Sequence, residues 1–191
     1  MRLIGLTGSI GAGKSIVSRI LRILGYEVYD CDSQAKEIME RSAVIREALC
    51  NRWGTECFNG YGRLNRKFIA ERAFRNSDER EWLNSLVHAE VRRDVSEWGL
   101  KRDICFVEAA ILASSGLAEF CEEIWLVTAP ESLRLQRAFL RGGISMEDLR
   151  RRNASQEAET DLLQGHRIMR INNSEGASLL VQIKDLINRF Q

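Results

Sequence analysis

Positions 8 to 15 read Gly8-Ser9-Ile10-Gly11-Ala12-Gly13-Lys14-Ser15, which fits the pattern G-x-x-x-x-G-K-[ST]. An apolar run from Arg2 to Thr7 precedes this segment. Apolar residues at Ile16, Val17, Ile20, Leu21, Ile23 and Leu24 follow it at helical spacing and stop at Gly25. A glycine-rich loop between a strand and a helix is a phosphate cradle. Its glycines let backbone N–H groups turn inward, and the helix N-terminus adds positive partial charge. Lys14 is placed to reach β and γ phosphates, and the Ser15 hydroxyl to ligate Mg²⁺. Gly11, Ala12, Gly13, Lys14, Ser15 and Ile16 are therefore the expected nucleoside triphosphate-binding residues, with Ser15 the metal ligand. A purely structural glycine turn is the competing reading, and the flanking strand and helix weigh against it.

Tyr26 to Tyr29 reads as a second strand, so the first thirty or so residues make a βαβ unit. Further strands are predicted at Ile104–Val107, Glu123–Thr128 and Ile168–Ile171, separated by helical patterns. That alternation predicts an α/β fold, a three-layer P-loop NTPase core with a parallel sheet covered on both faces. The core takes about 1–32, 102–140 and 166–191. Residues of about 33–101 have helix-like spacing and no convincing strand, which predicts a helical insertion between the second and third strands. A polar stretch, about 141–165, follows a helix over Glu131–Leu140 and predicts a helical lid. With 191 residues, one domain carrying both excursions is the expectation.

The net charge of +1 offers no global field to recruit nucleic acid or an acidic membrane, so anions must be held locally. Arg supplies 23 of the 28 basic residues, which suits bidentate phosphate contacts as well as ordinary surface pairs. The five cysteines have no metal-binding spacing and read as free thiols of a reducing compartment. No apolar run approaches the roughly 18 to 20 residues of a membrane span, and no secretory signal is read at the start. A cytoplasmic protein without an obligate protein partner is expected.

Neither N-K-x-D nor D-x-x-G occurs in the chain, which argues against a GTPase. Asp30-Cys31-Asp32 follows the second strand, at the carboxyl edge where ligands bind in open α/β sheets. A carboxylate there can accept or orient the proton of an attacking hydroxyl. The alternative for either aspartate is a helix N-cap.

Together with the loop, Trp82-Leu83-Asn84-Ser85-Leu86-Val87-His88, Glu108-Ala109-Ala110-Ile111-Leu112, Gln136-Arg137, Arg141, Gln156 and Asn172-Asn173 form an ordered set over nearly the whole chain. This set resembles the dephospho-coenzyme A kinase family. The resemblance implies transfer of the ATP γ-phosphoryl group to the ribose 3′-hydroxyl of dephospho-coenzyme A, with Mg²⁺, giving coenzyme A and ADP. It further implies Asp32 as the base for that hydroxyl, Lys14 as the group stabilising phosphate charge, and Arg141, with Arg137, closing from the lid. His88 and Glu108 join Asp32 on the substrate side, and Asn173 joins Arg137 on the ATP side. Each has a plainer competitor: a helix histidine, an exposed strand-end carboxylate and a turn asparagine. Glu108 can alternatively hold Mg²⁺ through water or hydrogen-bond Ser15.

The chain also departs from the family's pattern. Ala89 stands where a proline commonly follows the histidine, Ser114 where a carboxylate is common, and Ile16 where a threonine is common. Gly142-Gly143 predicts a more flexible lid hinge. The tryptophans read mainly as core, although one in the insertion could pack on pantetheine, and Arg150–Arg152 reads as a solvated face or a collector of substrate phosphates. A kinase of another nucleoside or nucleotide, or a non-catalytic ATP-dependent binding protein, remains the alternative function.

Overall fold

The computed structural model describes residues 2–143 and 145–190. Ile144, inside the expected lid, lies outside them. In chain order the elements are β1 (Arg2–Thr7), α1 (Lys14–Ile23), β2 (Glu27–Asp30), α2 (Cys31–Arg41), α3 (Ala43–Trp53), α4 (Arg66–Ala73), α5 (Ser77–Gly99), β3 (Ile104–Glu108), β4 (Glu123–Thr128), α6 (Glu131–Leu140), α7 (Met146–Asp161), β5 (Ile168–Asn172) and α8 (Leu179–Ile187). The chain divides into two compact units, residues 1–30 with 98–191 and residues 31–97.

The first unit is built on a five-stranded sheet in the order β2-β3-β1-β4-β5. Every pairing in it is parallel. β1 is central because all its residues after Arg2 are buried, the near-continuous apolar run that a strand covered on both faces requires. Ile4 and Leu6 point to one face, where Val17 and Leu21 of α1 and Ile183 and Ile187 of α8 join Phe106, Trp125 and Ile171 in one core. On the opposite face Gly5 leaves room for neighbours: an added Cβ would stand 2.6 Å from Leu112 Cδ2. The strand order switches sides at β1, since β2 and β3 lie to one side of it and β4 and β5 to the other. The loop that leaves β1 therefore sits at the crevice where such sheets bind ligands.

One buried charge locks the far end of the sheet. Glu123, 2% exposed, accepts a hydrogen bond from Trp125 Nε1 at 2.7 Å and pairs with Arg167 and Arg189 at 3.4 and 3.6 Å. All five cysteines are free thiols. Burial pushes the Cys121 thiol up to about 12, and burial also raises those of Cys57 and Cys105.

The second unit is helical, and α5 carries the chain out of it. Ser42 caps α3 by accepting from the Ile45 amide at 3.2 Å and donates its own hydroxyl to Glu90 at 2.6 Å. Asn65 caps α4 in the same way at 3.3 Å. Trp53 and Trp82 pack edge to face with centroids 5.0 Å apart, and Trp53 Nε1 donates to Glu79 at 2.7 Å. Trp53 and Trp82, two of the three tryptophans in the insertion, thus pack on each other. Arg52 and then Trp53 hydrogen-bond the Glu79 carboxyl and hold it below its ordinary range.

Candidate active site

The loop after β1 is shaped by glycines that no other residue could replace. Gly11 has φ 77° and lies against α6, so that a Cβ there would stand 2.0 Å from the Arg134 carbonyl oxygen. Gly13 has φ 105°, and its Cβ would meet Asn173 Nδ2 at 2.2 Å. Both positions combine left-handed backbone with a neighbour already in van der Waals contact. The Ala12 amide donates to Ser9 O at 3.0 Å and the Ile16 amide to Gly13 O at 3.0 Å, closing the two turns of the loop. The amides of Gly11, Gly13 and Ser15 have no backbone acceptor among the described residues. They belong to the unpaired set that makes a helix N-terminus an anion site. Lys14 opens α1, and its ammonium folds back to donate to Gly8 O at 2.5 Å. Ser15 and Ile16 are exposed, the latter at 51%.

Three of the expected residues meet behind this loop. Asn173, 8% exposed and directly after β5, donates from Nδ2 to Ala12 O at 2.7 Å. One N–H of its side chain supports the loop, and the second N–H and Oδ1 are left for the expected contact with a base. Arg137 on α6 donates to Asn173 O at 3.0 Å, and Arg141, exposed at the end of the same helix, donates to Arg137 O at 3.4 Å. Two of these contacts chain the cationic face of α6 to the nucleotide loop.

Glu108 ends β3, half-buried, and accepts from Ser18 Oγ at 2.6 Å. The expected alternative partner was Ser15; Ser18, one turn further along α1 and fully buried, takes the bond instead. Asp30 is the register partner of Glu108 on the neighbouring parallel strand, so the two carboxylates share one face at the carboxyl edge. With the Ser15 hydroxyl, these are hard oxygen donors of the kind Mg²⁺ takes, and Mg²⁺ ordinarily draws its remaining ligands from water and substrate phosphate. No group of three or more acidic, His or Cys side chains that could hold a metal occurs among the described residues.

Asp32 and His88 lie in the helical unit. The helix after β2 begins at Cys31, two residues before the expected Ser33, and puts Asp32 in its first turn, where a carboxylate favours the helix dipole. Asp32 is exposed and forms no ion pair among the described residues. His88 is half-buried in the middle of α5.

Arg134 and Asn153 carry structural weight that the sequence reading did not assign. Arg134 is 7% exposed, donates from Nε to Ala129 O and from Nη2 to Glu157 at 3.0 Å each, and bonds Asn153 Oδ1 through Nη1. A buried arginine in an otherwise amphipathic helix leaves no periodic trace. Its partners are on α7, inside the stretch read only as polar. There the residues beyond the network behave as expected of a solvated face: Arg150, Arg151 and Arg152 are exposed, and Arg151 pairs with Asp148. Gly142 and Gly143, with φ 75° and 82° and open space around them, join α6 to the segment that leads to α7.

A family model described as dephospho-CoA kinase matches residues 2–178. The chain belongs to the dephospho-CoA kinase family. Among members of the family, the dephospho-CoA kinase of Porphyromonas gingivalis is 40% identical over 189 residues, covering 98% of this chain and 93% of that one. The dephospho-CoA kinase of Bacteroides fragilis is 36% identical over 187 residues, 96% and 90% of the two chains. In three dimensions the chain superposes on TT1252 of Thermus thermophilus with a TM-score of 0.81 at 30% identity, covering 100% of this chain and 98% of that one. A shikimate kinase of Acinetobacter baumannii, 15% identical with a TM-score of 0.52 over 100% and 93% of the two chains, shares the fold alone.

Proposed function

We propose that this protein transfers the γ-phosphoryl group of ATP to the ribose 3′-hydroxyl of dephospho-coenzyme A, forming coenzyme A and ADP, the final step of coenzyme A synthesis. The observation that carries the reading is the family match over residues 2–178 combined with an intact phosphate loop at the switch point of the sheet. Phosphoryl transfer asks little covalent chemistry of a protein and depends on positioning and charge.

The loop amides and Lys14 hold the β and γ phosphates, with the ammonium exchanging its bond to Gly8 O for phosphate oxygens. Mg²⁺ would be held by the Ser15 hydroxyl, with Glu108 and Asp30 acting through water, and would supply neutralisation of the phosphate charge. Asp32 orients the acceptor hydroxyl and takes its proton as the new P–O bond forms and the bond to the ADP oxygen breaks. Arg141, exposed at the end of α6, and Arg137 stabilise the charge that spreads over the equatorial oxygens in transit. His88 contributes to the acceptor pocket of the helical unit. Closure of the segment after Gly142-Gly143 excludes water, so that ATP is not spent on hydrolysis.

The test is product analysis by mass spectrometry after incubation with Mg-ATP and dephospho-coenzyme A, with AMP and adenosine as competing acceptors. Coenzyme A formed by the unmodified protein and lost in Asp32→Asn is the expected result. Phosphorylation of AMP or adenosine instead would overturn the acceptor, and ATP binding without any phosphorylated product would overturn the enzymatic reading. Arg141→Ala is expected to lower kcat more than it weakens ATP binding. A raised KM at unchanged kcat would remove Arg141 from the transition state.

A further inference from the structure

The Ile10 amide lies in the loop's first half and takes no part in the turns that Ala12 and Ile16 close. It donates instead to Gln156 Oε1 at 2.5 Å, a partner 146 residues away on α7. That partner is held firmly. Leu149, Asn153, Gln156, Thr160 and Leu163 recur at spacings of three and four, which places them on one inward stripe. Leu149 and Leu163 at its ends are 0% and 1% exposed. The middle of the stripe is polar, and each polar member has a partner. Asn153 accepts from Arg134, Gln156 from Ile10, and Thr160 Oγ1 donates to Gln156 O at 3.2 Å. A second tie runs from the Ser114 amide to Glu159 Oε2 at 3.2 Å. Polar groups in the middle of such a stripe are costly unless bonded, so this arrangement fixes the Gln156 oxygen against the loop.

We propose that Gln156 is a positioning residue: by holding the Ile10 amide it fixes the first half of the phosphate loop and couples α7 to the phosphoryl-transfer geometry. This rests on the function proposed above only for its activity readout. The first readout needs no substrate, namely hydrogen exchange of the Ile10 amide by NMR. Slow exchange is expected in the unmodified protein and in Gln156→Glu, which keeps an oxygen of the same reach. Acceleration of about tenfold or more is expected in Gln156→Leu, with the Asn153 amide unchanged. In turnover, Gln156→Leu is expected to lower kcat roughly 10- to 100-fold, as small misplacements do. Gln156→Glu should restore kcat and raise KM for ATP, because it sets a negative charge near the triphosphate. That split is one a merely structural role would not produce.

Should Gln156→Leu fail to fold, Gln156→Asn, one methylene too short to reach, is expected to give the same acceleration and loss. Equal Ile10 exchange in all variants would overturn the contact. Faster exchange with unchanged kcat would overturn the positioning role. If the unmodified protein phosphorylates a different acceptor, the proposed substrate fails, while Gln156 is tested on that acceptor; without any phosphorylation, unchanged ATP affinity in Gln156→Leu together with unchanged Ile10 exchange overturns it.

Discussion

The nucleotide loop and the start of α2 are both sites where the chain turns from a strand into a helix, and they are built in opposite ways. Around the loop, support arrives from four distant segments: Asn173 holds Ala12 O, Gln156 holds the Ile10 amide, the α6 backbone at Arg134 abuts Gly11, and Ser18 anchors Glu108. Asp32, by contrast, stands exposed in the first turn of its helix without an ion pair among the described residues. Binding phosphate needs donors fixed in advance, because dipoles that must reorganise give up part of their effect. A carboxylate that meets a hydroxyl in transit needs only reach and local charge, and gains nothing from a protein partner that would compete for it. One site is therefore legible as a rigid mould and the other as a single functional group.

The sharpest way to break this comparison is Gly11→Ala. A methyl 2.0 Å from the Arg134 carbonyl oxygen, on a backbone of φ 77°, forces either the loop or α6 to move. Loss of measurable ATP binding by calorimetry is expected, with turnover abolished; retained binding would show that the mould is not rigid. Next comes Asp32→Asn, for which kcat should fall by roughly 10²- to 10⁴-fold, the range of general base catalysis, while ATP affinity stays the same and stability falls only by the roughly 0.3–1 kcal/mol of a first-turn charge on the helix dipole. A larger stability loss there would mean Asp32 is built into the fold after all.

How far the sequence reveals each region follows from the same contrast. The G-x-x-x-x-G-K-S string, the apolar β1 and the periodic α1 are local patterns, and the βαβ unit, the parallel sheet and the helical character of the insertion could be read from them. Boundaries moved by one or two residues: β2 runs to Asp30 and β5 to Asn172 because register with Glu108 and Thr128 extends them. What could not be read is the long-range support. Nothing in Asn173 as a letter distinguishes a turn residue or a base contact from a buried strut, since the deciding partner lies 161 positions away. Arg134 is equally illegible, because burial of a cation depends on Asn153 and Glu157 arriving from another helix. The Ser114 amide likewise finds its acceptor 45 positions away, in Glu159 Oε2 at 3.2 Å.

Asn173→Ala separates support from direct contact. Removing the amide leaves Ala12 O buried without its donor, a loss of about 1–3 kcal/mol in stability. Urea unfolding should register it, and ATP affinity should fall by roughly tenfold for an equivalent loss of order in the loop. Weaker ATP binding at unchanged stability would return Asn173 to the role of a direct nucleotide contact.

The smallest expected effect concerns Cys121, a half-buried thiol. Its thiol is raised from 9.0 to about 12 by burial, so the folded protein keeps a proton that the unfolded chain releases. The unfolded state then binds fewer protons than the native state above the ordinary thiol value, and stability must fall as pH rises. The contribution is whole below pH 9 and is lost progressively towards pH 12. Cys121→Ala, which removes a group bonded to Leu117 O at 3.3 Å, should flatten the decline of Tm over that window while leaving ATP affinity at neutral pH unchanged. An equally steep decline in the variant would assign the alkaline loss to the buried thiols, Cys57 and Cys105, whose values burial also raises. Of these, Cys105 pairs in register with Leu3 of β1 and Glu27 of β2, so its ionisation would loosen the sheet from within, whereas that of Cys57 would act on the helical unit.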